Sequence, residues 1–113
     1  MPRISSHVLD TTRGVPASGI HIQLFKLINA QWVALQQDTT NSDGRVANLL
    51  PENTPLETGR YKIRFALESY FQAQQQPCFY PQVDIECHLK SEDEHYHIPL
   101  LISPFGYSTY RGS

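Results

Sequence analysis

Apolar residues recur at every second position along most of this chain, the spacing of strands that bury one face. In "GIHIQLFKL", Ile20, Ile22 and Leu24 point one way and His21, Gln23 and Phe25 the other, after a turn marked by Gly14 and Pro16. "WVALQQDTT" is a second strand; the "NSDG" after it favours a tight reversal before Arg45 and Val46. "RYKIRFAL" puts Tyr61, Ile63, Phe65 and Leu67 on a core face, and "QVDIECHL" does the same with Val83, Ile85, Cys87 and Leu89. Between these two strands "ESYFQAQQQ" carries Tyr70, Phe71 and Gln74 at helical spacing, with Leu67 just ahead and Pro77 just after. One short helix among seven or eight strands predicts an all-β fold, an antiparallel sandwich or barrel.

Composition narrows the classes of partner. A chain of 113 residues falls in the usual range of one domain, and it can bury roughly two-thirds of its unfolded surface, so 1–113 reads as a single domain. With 40% hydrophobic and 18% charged residues and a net charge of −2, nothing attracts nucleic acid or an anionic membrane in general, and an anion must be held by local cations. No segment is apolar enough to cross a bilayer, and "MPRISSHVLD" lacks a signal-peptide core, which predicts a cytoplasmic protein. Cys78 and Cys87 form no CxxC motif, and Cys87 alternates as a small buried hydrophobe would, so a disulfide is not expected.

The same alternation in "HYHIPLLISPFGYSTYRGS" places Tyr96, Ile98, Leu100 and Ile102 on one face and His95, His97, Pro99 and Leu101 on the other. His97 thus faces away from the core, yet on a face that also carries Leu101, as if another subunit covered it. In "SSHVLD", His7 lies between serines and an apolar Val8-Leu9 pair. Two imidazoles so placed can supply a general base and a general acid near neutral pH. Arg45, directly after a tight turn, suits a planar anion held bidentately. Each of these residues has a plain structural reading too: a hydrogen-bonded strand histidine, or a solvated turn arginine. His21 and His88 read as outward strand positions with no role. His7, His95 and His97 also suggest a three-imidazole zinc site, although HxH alone is a weak signal and no acidic fourth ligand stands in register.

"SSHVLDTTRGVPASGI", the "DGR" turn, "FYPQV" and "HYHIPLLISPFGYSTYRGS" resemble the transthyretin-like family, in order from Ser5 to Ser113, and specifically its enzymatic branch, the 5-hydroxyisourate hydrolases of urate breakdown. The resemblance implies a β-sandwich of two four-stranded sheets with one short helix, assembled as a homotetramer, a dimer of dimers whose active sites lie between dimers. It implies that His7, Arg45, His97 and Ser113 take the catalytic positions, with Tyr110 and Arg111 beside them on the substrate, and that the end of the chain lines the site. No metal or cofactor is implied. The small-molecule purine substrate would be opened at a ring amide by water, giving 2-oxo-4-hydroxy-4-carboxy-5-ureidoimidazoline. A direct attack fits, because neither cysteine lies in a motif and Ser113 has no nucleophile elbow. A carrier module on the same framework is the competing class; paired imidazoles and the YRGS ending count against it.

Overall fold

The computed structural model describes residues 2–113. Along them run β1 (Arg3–Asp10), β2 (Val15–Pro16), β3 (His21–Ile28), β4 (Gln31–Thr39), β5 (Arg45–Val46), β6 (Gly59–Ala66), α1 (Glu68–Gln72), β7 (Gln82–Leu89), β8 (His95–Ser103) and β9 (Gly106–Thr109). One sheet has the order β2-β1-β8-β9 with β5 also on β1, and the other β4-β3-β6-β7. The all-β sandwich read from the sequence is therefore present. Its first sheet counts five strands because β5 lies against Ser6 and His7 and β2 against Leu9 and Asp10. These two-residue pieces follow one another along one edge of β1 and together stand where a fourth strand would.

Alternation decides which side chains fill the space between the sheets. Ile4 and Val8 of β1, Ile22 and Leu24 of β3, Ile63 and Phe65 of β6, and Leu100 and Ile102 of β8 are all fully buried. Each such side chain contributes about 1.5–3 kcal/mol by leaving water. The β3–β4 hairpin closes through Asn29 and Ala30, both at positive φ, the backbone of a two-residue turn whose twist matches its strands.

Three expectations are refined. The sandwich is not wholly antiparallel: β1 and β8 pair in parallel, with Ser5 opposite His97 and His7 opposite Pro99. Parallel neighbours need a long crossover, and here nearly the whole chain lies between them. The helix is one turn and a little more, ending well before Pro77; Gln75 takes φ 56 and the Gln76 amide returns to the Phe71 carbonyl, a left-handed helix stop. Finally, Ile85 and Cys87 are only half-buried, because β7 is an edge strand and a cavity of about 310 Å³ opens between it and Tyr96 and Ile98.

Candidate active site

The turn before β5 is built by Asn41. Its side-chain oxygen accepts from the amides of Asp43 and Arg45, and its carbonyl accepts from Gly44. Gly44 has φ +74, and a Cβ there would collide with the Val8 carbonyl, so only glycine lets the turn approach β1 this closely. The Val8 amide donates to the Gly44 carbonyl at 2.7 Å, and Arg45 comes to rest opposite His7.

His7 is then fixed by the turn. Its Nε2–H donates to the Asp43 carbonyl at 2.9 Å. Because a carbonyl only accepts, the neutral ring carries its proton on Nε2 and presents its lone pair at Nδ1. On the neighbouring strand, His97 Nδ1 lies 2.8 Å from the Ser5 hydroxyl, which also lies 3.3 Å from His95 Nε2. Burial of the half-buried ring pushes His97 below its ordinary 6.5, and the charges of Arg45, His7 and His95 push it the same way. At neutral pH this imidazole is uncharged and able to take a proton.

Gly112 meets the same ring. Its amide donates to the His97 carbonyl at 2.7 Å, and a Cβ at 112 would come within 2.6 Å of His97 Cδ2. Ser113 is the next residue along the chain. Tyr110 and Arg111 line the cavity beside Tyr96 and Ile98, and the Arg111 guanidinium stacks 4.7 Å from the Tyr96 ring centroid and faces Asp93 at 3.8 Å. Sequence reasoning missed Ser5, the Asp43 carbonyl and Gly112. For Ser5 a signal existed, since it lies two residues before His7 on the same strand face.

His7, Arg45 and His97 thus share the outer face of the first sheet. Arg45 enters none of the ion pairs among the described residues, which leaves its charge for an external anion. Also among the described residues, no group of three or more His, Cys, Asp or Glu is arranged to hold a metal ion; His95 and His97 share the Ser5 hydroxyl instead. Both cysteines are free. Burial raises the Cys78 thiol and pushes Cys87 up to about 11, so neither is poised as a thiolate nucleophile.

The sequence profile of the HIUase/Transthyretin family matches residues 4–112. This chain belongs to that family. A probable 5-hydroxyisourate hydrolase of Caenorhabditis elegans is 43% identical over 110 residues, 97% of this chain and 80% of that protein. The 5-hydroxyisourate hydrolase of Mus musculus is 40% identical over 112 residues, 97% of this chain and 94% of its own length. Among solved structures, Klebsiella pneumoniae 5-hydroxyisourate hydrolase matches with a TM-score of 0.85 at 32% identity, both chains being covered in full. Sea bream transthyretin in complex with thyroxine matches at 0.90, covering 97% of this chain and 94% of its own, but at 24% identity this likeness shows the fold alone. The named hydrolases set this HIUase/Transthyretin family member on the enzymatic branch. No helix among the described residues is long and apolar enough to cross a membrane.

Proposed function

We propose that the chain hydrolyses 5-hydroxyisourate to 2-oxo-4-hydroxy-4-carboxy-5-ureidoimidazoline by histidine-assisted attack of water on a ring amide. Arg45 holds the acidic oxygen or nitrogen of the purine against the sheet face. His97, neutral at pH 7 and gripped through Nδ1, takes a proton from water at Nε2 as the water adds to the carbonyl carbon. The ring C–N bond then breaks, the departing nitrogen takes one proton, and a carboxylate forms. His7, whose Nδ1 bears the lone pair when neutral and a proton when charged, handles proton transfer to that nitrogen. Ser113 orients water or an imidazole from the edge of the site. Tyr110 and Arg111 are assigned a supporting role, holding the segment that carries Gly112 and Ser113, since Arg111 is engaged at Tyr96 and Asp93.

One observation supports this reading: Arg45, His7 and His97 stand on one sheet face in adjacent registered strands, with Arg45 opposite His7 and His97 two residues along β8 from the partner of His7. The same reading includes a dimer of dimers in the cytoplasm. Leu9 and Leu101 beside the site are only half-buried, and β7 and β9 each end a sheet with an unpaired edge, surfaces that a second copy would cover.

The test generates 5-hydroxyisourate enzymatically in a cuvette and follows its disappearance and the handedness of the product. The chain should accelerate the decay and give one enantiomer. His7→Asn and His97→Asn should each reduce turnover about a hundredfold or more while sedimentation still reports the tetramer. Near-normal turnover in both variants removes the two histidines from the mechanism.

A further inference from the structure

We infer that Ser5 and His95 form a proton-release chain for the active-site imidazole, running from His97 Nδ1 through the Ser5 hydroxyl to His95 Nε2 and out to solvent. The inference rests on the hydrolase reading and extends it. Parallel pairing of β1 with β8 sets Arg3 opposite His95 and Ser5 opposite His97. The two imidazoles, alternate residues of one strand, therefore bracket a single hydroxyl from its neighbour. The separations are 2.8 Å and 3.3 Å, both within reach of direct proton transfer along hydrogen bonds. His97 and Ser5 are half-buried, whereas His95 is exposed, so the chain leads from the site to water.

Proton balance gives such a chain something to do. Water brings two protons to the amide; the departing nitrogen keeps one, and the new carboxylic acid is ionised at neutral pH. One proton per turnover must leave. A proton received at His97 Nε2 leaves from Nδ1 to the Ser5 oxygen as the serine passes its own hydroxyl proton to His95 Nε2. His95 then releases its other ring proton to buffer, which leaves both imidazoles as their opposite neutral tautomers; once product departs, His97 gives its Nε2 proton to solvent entering the site and regains an Nδ1 proton through Ser5 and His95, so each turnover sheds one proton and every group returns to its starting form. Burial first, and then the charges of Arg45 and His7, disfavour a proton held on His97, which favours passing it on to a neutral His95. His95 itself faces Arg3 across the ladder. A hydroxyl that only steadied His97 would have no need of a second imidazole on its far side.

The experiment measures turnover of freshly formed 5-hydroxyisourate near pH 7.5 at rising imidazole concentration, with the uncatalysed decay in each buffer subtracted. In dilute buffer without imidazole, His95→Gln should turn over about tenfold more slowly than the parent, and added imidazole should return it towards the parent rate. Ser5→Ala should be slowed without that recovery, and Ser5→Thr, which keeps the hydroxyl, should stay near the parent. A thermal melt of His95→Gln should match the parent, because the side chain is exposed. Parental turnover of His95→Gln in dilute buffer, or a loss that imidazole leaves unchanged, overturns the relay. If the parent is active and His97→Asn is inactive at every imidazole concentration, that failure belongs to the relay alone. An inactive parent removes the hydrolase reading and the relay together.

Discussion

The outer faces of the two sheets make opposite uses of their charge. On the second sheet, Arg64 grips Asp84 through two contacts at 2.9 and 3.1 Å, and Lys62 lies 3.8 Å from the same carboxylate. Lys62 also stands over Trp32 and Phe25, 4.7 and 5.1 Å from the ring centroids, with Arg64 5.0 Å from Phe25. These cations are satisfied by neighbours on other strands of the same sheet, at about 0–1 kcal/mol for each exposed pair. On the first sheet, Arg45 sits beside His7 and near His97 with no carboxylate to answer it among the described residues. A face whose charges already pair within the chain serves stability; the face that sets Arg45 beside two imidazoles with no carboxylate partner is the one on which the proposed function places the anionic substrate.

Deleting the unanswered cation should produce the largest effect. Arg45→Gln removes a charged donor from the site, and a loss of about 10²–10³ in kcat/KM is expected, read in the same spectrophotometric assay. The variant should also move the acid limb of the pH profile. His97 lies below 6.5 chiefly through burial and then through Arg45, so parental activity should rise with pH through a midpoint below 6.5. Without Arg45 that midpoint should climb towards 6.5. Stability carries the same sign. A histidine whose folded pKa is depressed contributes fully above 6.5 and loses that contribution as pH falls through the folded value. An unmoved acid limb would mean that Arg45 and His97 do not share one electrostatic neighbourhood.

A smaller effect should come from the close approach of Gly112 to the His97 ring. In Gly112→Ala the new methyl would stand 2.6 Å from Cδ2 and 3.1 Å from the His97 carbonyl oxygen, so the ring or the terminal segment must shift. Displacing a reacting group by about 1 Å can cost up to about a hundredfold in turnover, and a loss between tenfold and that limit is expected. By contrast, a Cβ at Gly59 of β6 would meet nothing nearer than the Lys26 side chain at 3.9 Å. Unaltered turnover would show that the terminal segment does not position His97.

Much of the sandwich was legible because burial imposes a strict period of two. "RYKIRFAL" named its own inward residues, and the outward aim of His97 followed from Tyr96, Ile98 and Leu100 alone. The helix was overdrawn because local spacing does not report that Gln75 takes a left-handed backbone. The parallel pairing that brings Ser5 to His97 joins residues 92 apart in the chain, and no local pattern encodes that register. The partner of His7 is a main-chain carbonyl, which any residue at position 43 would supply. The contacts of the Arg111 guanidinium with the Tyr96 ring and Asp93 likewise join residues whose approach no local pattern encodes.

The smallest effect belongs to the self-satisfied face. Arg64→Gln breaks the contacts to Asp84 and leaves Lys62 as the remaining cation near that carboxylate. The Arg64 side chain is 30% exposed and that of Asp84 34%, so solvent screens much of the pair and a stability loss of about 1 kcal/mol or less is expected, with turnover unchanged. Acid should narrow the gap. The Arg64 hydrogen bond is the chief reason the Asp84 carboxyl lies below its ordinary 3.8; burial opposes it, and the charges of Arg64 and Lys62 add to it. The stabilisation is therefore complete above 3.8 and disappears as pH falls through the folded value. Melting curves of parent and variant should separate near neutrality and converge below pH 3.8. If instead Arg64→Gln cost as much turnover as Arg45→Gln, the division of labour between the two faces would be lost.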